Sequence, residues 1–270
     1  MKKFLVIGNP IEHSLSPRLH NYWLKKNDID ALYEKKKVER TELETVINKI
    51  RKGDLEGINV TVPFKKLIIP FVDRLSEESE KTKSVNTIYK QNNEIIGHNT
   101  DIAGFELSLR NCNYNVKNKD ILILGAGGVV SSIVYALLKM KCRKINISNR
   151  TKSKAEDIKK LFDQINILDW GKIVDFDIII NATSLGLKKE DKIEIDYGKI
   201  ETGKFFYDVI YNPAKTEFLN KAQKYGHIIE NGKFMFIYQA HQAFTIWHKK
   251  MPDIDKETLK LIDEWLKLVS

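Results

Sequence analysis

Four consecutive aliphatic residues, Ile121-Leu122-Ile123-Leu124, run straight into Gly125-Ala126-Gly127-Gly128 and then into a helical pattern from about Val129 to Lys139. An unbroken aliphatic run of this kind reads as a strand buried on both faces, the habit of parallel sheets. In the turn after it, the first glycine permits a tight reversal and the second lets a pyrophosphate approach the backbone. The helix N-terminus then offers unpaired N–H groups and a partial positive charge. The unit predicts a Rossmann-type dinucleotide site lined by Gly125, Ala126, Gly127, Gly128 and Val129. The third small position of the pattern falls on Val130, which predicts slightly wider packing of helix on strand and leaves the site intact.

The end of the next strand, expected over 144–148, chooses between the nicotinamide cofactors. An acidic residue there accepts from a free ribose 2′-hydroxyl, whereas arginine pairs with a 2′-phosphate. Here the chain reads Asn149-Arg150-Thr151, with Ser153 and Lys154 beyond and no acid before Glu156. NADP is predicted over NAD, held by Asn149, Arg150, Thr151 and Lys154. Thr151 also stands where it could cap the following helix.

Strand and helix patterns alternate elsewhere too. Strands are expected over Lys3–Ile7, Ala31–Val38, Leu55–Val62, Thr87–Lys90 and Ile95–His98, then over Asp177–Ile180, Phe205–Val209 and Ile228–Glu230. Helices are expected over 16–26, with Ser16 as N-cap and Pro17 in the first position, and over 41–52, with Leu43, Val46, Ile47 and Ile50 on one face. From Phe234 the chain reads as helix, broken near Pro252. Such alternation over 270 residues predicts two α/β domains with a cleft between them. The N-terminal one carries a mainly parallel sheet. The expected boundaries are 1–101, completed by C-terminal helices at 238–270, and 102–237 for the Rossmann-type domain.

No apolar run approaches a bilayer-spanning length, and the start at Met1 reads as a first strand, not a signal peptide. A cytoplasmic protein is expected. Cys112 and Cys142 lack a CxxC partner and read as free thiols, and the six histidines show no metal-binding spacing, so no metal is expected. The net charge of +9 comes from dispersed lysines interleaved with acids, the pattern of a solvated surface and not of a nucleic-acid-binding or membrane-binding face.

The remaining polar residues cluster in three places. Ser14 and Ser16 flank the start of the first helix, where two hydroxyls facing one point would suit a carboxylate. Asn59, Thr61 and Lys65 alternate along a strand's exit, and Gly97-His98-Asn99-Thr100-Asp101 closes the first domain. With GNPIEHSLSPRLHN at 8–21, NVTVPFK at 59–65, VNT at 85–87, GHNTD at 97–101, GAGG at 125–128, NRT at 149–151, NATSLG at 181–186, DVIYNP at 208–213 and NGKFMFIYQA at 231–240, the chain resembles the shikimate dehydrogenase family over nearly its whole length.

That resemblance implies NADPH-dependent reduction of 3-dehydroshikimate to shikimate. It assigns Ser14, Ser16 and Tyr211 to the substrate carboxylate, and Thr61, Asn86 and Gln239 to ring hydroxyls. Lys65 and Asp101 become the catalytic pair, and Gly232 borders the nicotinamide. The chemistry suits the pair: hydride transfer to a ketone leaves an alkoxide, and an ammonium above that oxygen can supply the proton. Asn181 is expected only to satisfy loop backbone. Leu187 and the segment Gly232–Phe236 depart from the family pattern near the expected nicotinamide pocket. Two neighbouring readings stay open, a quinate/shikimate dehydrogenase using NAD and a non-catalytic sensor of NADP(H) or shikimate. The chain is expected to work as a monomer or homodimer, without a fused dehydratase.

Overall fold

The computed structural model describes residues 1–188 and 190–268, which divide into two compact units. One is Met1–Ile102 with the stretch from Gln239, and the other is Ala103–Tyr238. The helices, in chain order, are α1 (Ser16–Lys26), α2 (Leu43–Lys52), α3 (Glu77–Thr82), α4 (Asp101–Asn111), α5 (Val130–Lys139), α6 (Lys152–Lys159), α7 (Glu217–Lys224), α8 (Lys233–His248) and α9 (Lys256–Leu268).

The first unit is built on strands β1 (Lys2–Gly8), β2 (Ala31–Lys37), β3 (Gly57–Val60), β4 (Arg74–Leu75), β5 (Thr87–Gln91) and β6 (Glu94–His98), ordered β2-β1-β3-β5-β6-β4. Only β5 runs against the others. Its reversal into β6 is made by Asn92 and Asn93, both at positive φ, the two-residue hairpin whose twist matches that of its strands. Ile7, Ile58, Val60 and Ile88 turn to one face and pack under the Leu43, Val46, Ile47 and Ile50 stripe of α2. Phe4, Tyr33 and Gly57 pair in register on the opposite face, beneath aromatic side chains of α1 and α8. Gly57 is required there: a Cβ would lie 2.4 Å from the Trp247 indole nitrogen.

The second unit has β7 (Asp120–Leu124), β8 (Lys144–Ser148), β9 (Asn166–Leu168), β10 (Ile178–Asn181), β11 (Phe205–Asp208) and β12 (Ile228–Glu230), all parallel, in the order β12-β11-β10-β7-β8-β9. Counted from β7, this is the doubly wound 3-2-1-4-5-6 sheet that binds dinucleotides at the carboxyl ends of its strands. Leu122, Leu124, Ile179 and Phe206 form one layer with Phe218, Leu219 and Ala222 of and around α7.

The two α/β units with mainly parallel sheets are as expected, and several local details differ. Ser16 is the first residue of α1 and Leu15 occupies the N-cap, while the Ser14 hydroxyl oxygen accepts from the Ser16 amide at 3.3 Å. The proline is tolerated one position later because the missing N–H is still among those that a helix start leaves unpaired. The helix expected from Thr41 opens as a tighter turn over Arg40–Glu42, held by a reciprocal bond pattern between Glu39 and Glu42. The strand expected over 55–62 pairs only over Gly57–Val60. Strands β4 and β9 and helix α3 carried no sequence signal, being two, three and six residues long. Among the described residues, no helix is long and apolar enough to cross a membrane.

Candidate active site

Beyond β3 the chain bends through exposed Val62 and returns to the sheet, where the Lys65 carbonyl accepts from the Val85 amide at 2.9 Å. The Lys65 ammonium donates to Asp101 Oδ2 at 2.5 Å, with the two side chains only 12% and 7% exposed. Removing two charges this far from water is costly unless further hydrogen bonds hold them. Asn86 provides one, its Nδ2 donating to Asp101 Oδ1 at 2.9 Å. Asp101 stands at the head of α4, but its amide donates to Asn99 Oδ1 at 3.1 Å, so Asn99 meets the local backbone and the carboxylate is free for Lys65.

The orientation of Asn86 is forced. The Thr100 main-chain N–H donates to Asn86 Oδ1 at 2.8 Å, so Nδ2 must face Asp101 and the Thr100 hydroxyl, each 2.9 Å away. Both amide protons are thereby used within the chain. Behind Asn86, Asn59 Nδ2 donates to the Asn86 carbonyl and to Thr87 Oγ1, each at 3.0 Å, and Asn59 Oδ1 accepts from the Tyr33 phenol at 2.6 Å. Burial holds the Tyr33 phenol well above its ordinary range. Ser14 and Ser16 are neighbours at the head of α1, joined by the bond from the Ser16 amide to the Ser14 hydroxyl. Thr61 is seated by Gly8, where a Cβ would come within 2.6 Å of the threonine methyl.

In the second unit, Gly125 is required by the protein itself. Its φ is +109°, and a Cβ would lie 2.8 Å from the Ala182 carbonyl. Gly127 and Gly128 differ: a Cβ would meet only the Ala182 carbonyl at 3.8 Å in the first case and nothing within 4 Å in the second. The loop thus presents an open cradle at the head of α5, as an approaching pyrophosphate needs. Ala126 and Val129 are half-buried beside it, and Val130 packs fully against the sheet. Past β8, Arg150, Thr151 and Lys154 are exposed, and neither cation has an ion-pair partner among the described residues. Thr151 occupies the N-cap of α6, yet its side chain makes no capping bond, and Asn149 Nδ2 donates to the Thr151 carbonyl at 2.7 Å.

Asn181 and Asp208 end the paired strands β10 and β11 in register. Asp208 is fully buried and accepts from Asn181 Nδ2 at 3.1 Å, the Ile210 amide at 3.0 Å and the Thr216 hydroxyl at 2.6 Å. Burial pushes its carboxyl up to about 6 against these three donors. The knot holds the segment carrying Tyr211, whose ring stacks on Phe236 at 4.7 Å and whose phenol is pushed up to about 12 by burial. Gly232 packs on the same segment so tightly that a Cβ would lie 2.0 Å from the Val209 carbonyl. Gln239 lies half-buried on α8, in the first unit.

Residues 6–88 match the family model for the shikimate dehydrogenase substrate binding domain, and residues 106–206 match the one for shikimate / quinate 5-dehydrogenase. The NADP(+) shikimate dehydrogenase of Pelagibacter ubique is 62% identical over 97% of this chain and 99% of that one. The chain belongs to the shikimate dehydrogenase family.

Two solved shikimate dehydrogenases carry the same fold. That of Aquifex aeolicus is 33% identical with a TM-score of 0.89, covering 97% of each chain. That of Thermus thermophilus, solved in complex with NADP(H) and shikimate, is 26% identical with a TM-score of 0.88, covering 100% of each. No sequence signal singles out Tyr33, Thr87 or Asp208, and Asn59 stands out as one of three alternating polar residues. Asn59 carried a usable signal, an amide between Ile58 and Val60 in an otherwise apolar strand. Tyr33 carried none, since a tyrosine in a strand is ordinary.

Proposed function

We propose that this protein catalyses the reversible, NADPH-dependent reduction of 3-dehydroshikimate to shikimate, on the route to aromatic amino acids. The observation that carries the reading is the buried Lys65–Asp101 pair, oriented by Asn86. Bound NADPH supplies the hydride. The Lys65 ammonium stands ready to donate the proton that the new alkoxide requires, and to stabilise its charge beforehand. Asp101 holds the ammonium in place and accepts from a neighbouring substrate hydroxyl. Thr61 and Gln239 bind ring hydroxyls, and Asn86 does so by exchanging its Thr100 contact for one to substrate. Ser14, Ser16 and Tyr211 hold the carboxylate.

On the cofactor side, Gly125, Ala126, Gly127, Gly128 and Val129 would cradle the pyrophosphate. Asn149, Arg150, Thr151 and Lys154 would take the 2′-phosphate, and Gly232 would border the nicotinamide. On this reading residues 1–101, with the C-terminal helices, form the substrate domain and residues 102–237 form the NADP domain. The protein acts in the cytoplasm as a monomer or homodimer, without nucleic acid or membrane.

The test is shikimate oxidation at alkaline pH, followed by NADPH absorbance, with NAD and quinate as parallel arms and Lys65→Ala as control. Loss of a positioned acid lowers the rate by about 10²–10⁴-fold. Turnover chiefly with NAD or quinate would instead place the protein with the quinate-accepting members. No turnover from a folded chain that binds NADP would make it a sensor.

A further inference from the structure

The polar side chains of the first unit form one continuous chain of hydrogen bonds, and its donor directions can be read along its length. Asn59 Nδ2 faces the Asn86 carbonyl, which can only accept, so Asn59 Oδ1 must face Tyr33. A carboxamide oxygen has no proton, so the Tyr33 phenol donates its only one there, at 2.6 Å. Thr87 Oγ1 accepts from Asn59 and passes its own proton to Asn86 Oδ1 at 3.0 Å. Asn86 then donates to Asp101, which holds Lys65.

Tyr33 is 1% exposed and Asn59 6%, so water cannot replace either partner. The phenol is also held from its flat side. The His20 ring lies parallel to it, 4.1 Å away and tilted by 3°. Tyr33 enters from β2, at the sheet edge, and spans β1 to reach Asn59 on β3. A phenylalanine would fill the same space and pack against the same imidazole. What the hydroxyl adds is the donor that the buried Asn59 Oδ1 needs.

We infer that Tyr33 is a positioning residue for the reaction. Its phenol supplies the donor for the Asn59 carboxamide oxygen, and through Asn59 and Thr87 it braces the Asn86 amide, turned by the Thr100 N–H, that orients Asp101 and Lys65. The inference rests on the proposed shikimate dehydrogenase activity. Without the phenol, Asn59 Oδ1 is a buried acceptor lacking a donor, and the amide is held from its Nδ2 side alone, by Asn86 and Thr87. An unmade bond of this kind is worth on the order of a tenfold effect or more.

The experiment compares the full-length wild type with Tyr33→Phe, Asn59→Ala and the double variant, measuring kcat, KM for shikimate, KM for NADP and thermal midpoint. Wild-type turnover of shikimate with NADP is read first; its absence defeats the proposed function and says nothing about Tyr33. Given that turnover, Tyr33→Phe should lower kcat about tenfold while KM for NADP stays within twofold. The phenol acts through Asn59, so Tyr33→Phe should cost little more once Asn59 is alanine. A kcat within twofold of wild type overturns the inference. So does an additive loss in the double variant, because a packing role would persist without Asn59. Should Asn59→Ala fail to fold, Asn59→Leu takes its place, a side chain that fills the space but neither accepts from the phenol nor donates to Asn86 and Thr87.

Discussion

Replacing His20 with leucine should remove much of the first unit's sensitivity to acid. His20 is 1% exposed, and neither ring nitrogen has a hydrogen-bond partner among the described residues. It is enclosed by Tyr33, Trp23, Phe244 and Trp247. Burial, reinforced by nearby His248, pushes its pKa from 6.5 down to about 3. The unfolded chain therefore takes up a proton below pH 6.5 that the folded chain refuses until about pH 3. Stability is complete above the upper value and drains away as pH falls toward the lower one. At about 1.4 kcal/mol per pH unit, His20 alone removes about 3 kcal/mol between pH 7 and pH 4.

Leucine is similar in volume, apolar and a good helix former, so His20→Leu should be as stable as wild type at pH 7 or more so. Urea unfolding at pH 7, 6, 5 and 4, followed by Trp23 and Trp247 emission, gives the two stability curves. They should diverge below pH 6 by about 3 kcal/mol at pH 4. The variant will keep some acid sensitivity, because His248, pushed down to about 4 mainly by burial, has the same sign. Parallel curves across the range would refute the reasoning.

Gly128→Ala should leave the thermal midpoint unchanged but raise the KM for NADP, since its Cβ meets open space above the loop. Gly232→Ala should lower the midpoint sharply, because its Cβ would overlap the Val209 carbonyl. A scan of both variants with and without NADP separates the two effects. Asp208 titrates with the opposite sign to His20: its carboxyl, raised to about 6, favours the folded state below pH 3.8 and loses that advantage as pH rises through 6. Asp208→Asn should therefore gain on wild type between pH 4 and 7, by up to about 3 kcal/mol, in paired urea titrations. Arg150→Ala should raise the KM for NADP at least tenfold and leave that for NAD nearly unchanged, as loss of a charge-assisted phosphate contact requires. An equal effect on both cofactors would sink the assignment of Arg150 to the 2′-phosphate.

Much of the fold was legible because its elements are set by local pattern. The aliphatic run at 121–124 and the glycines after it specify a buried strand and a tight turn wherever they occur. The α2 stripe is equally local, since its four residues repeat at helical spacing and all are buried. Short elements were missed for the complementary reason: Glu77–Thr82 has no apolar period and forms a helix on the strength of the Ser76 cap and its surroundings.

Within the candidate site, the sequence marked Lys65 and Asp101 in two distant polar segments, and Asn86 only through the family resemblance. What set their hydrogen bonds was decided only in three dimensions. Strand order places Asn59 beside Thr87, the Thr100 amide turns the Asn86 carboxamide, and Asn99 relieves Asp101 of a capping duty that its position would suggest. Tyr33 belongs to the network because β2 lies next to β1 in the sheet, a neighbour chosen by long-range packing. Periodicity records which face of an element is buried, whereas the direction of a hydrogen bond depends on groups that meet only after the chain has folded.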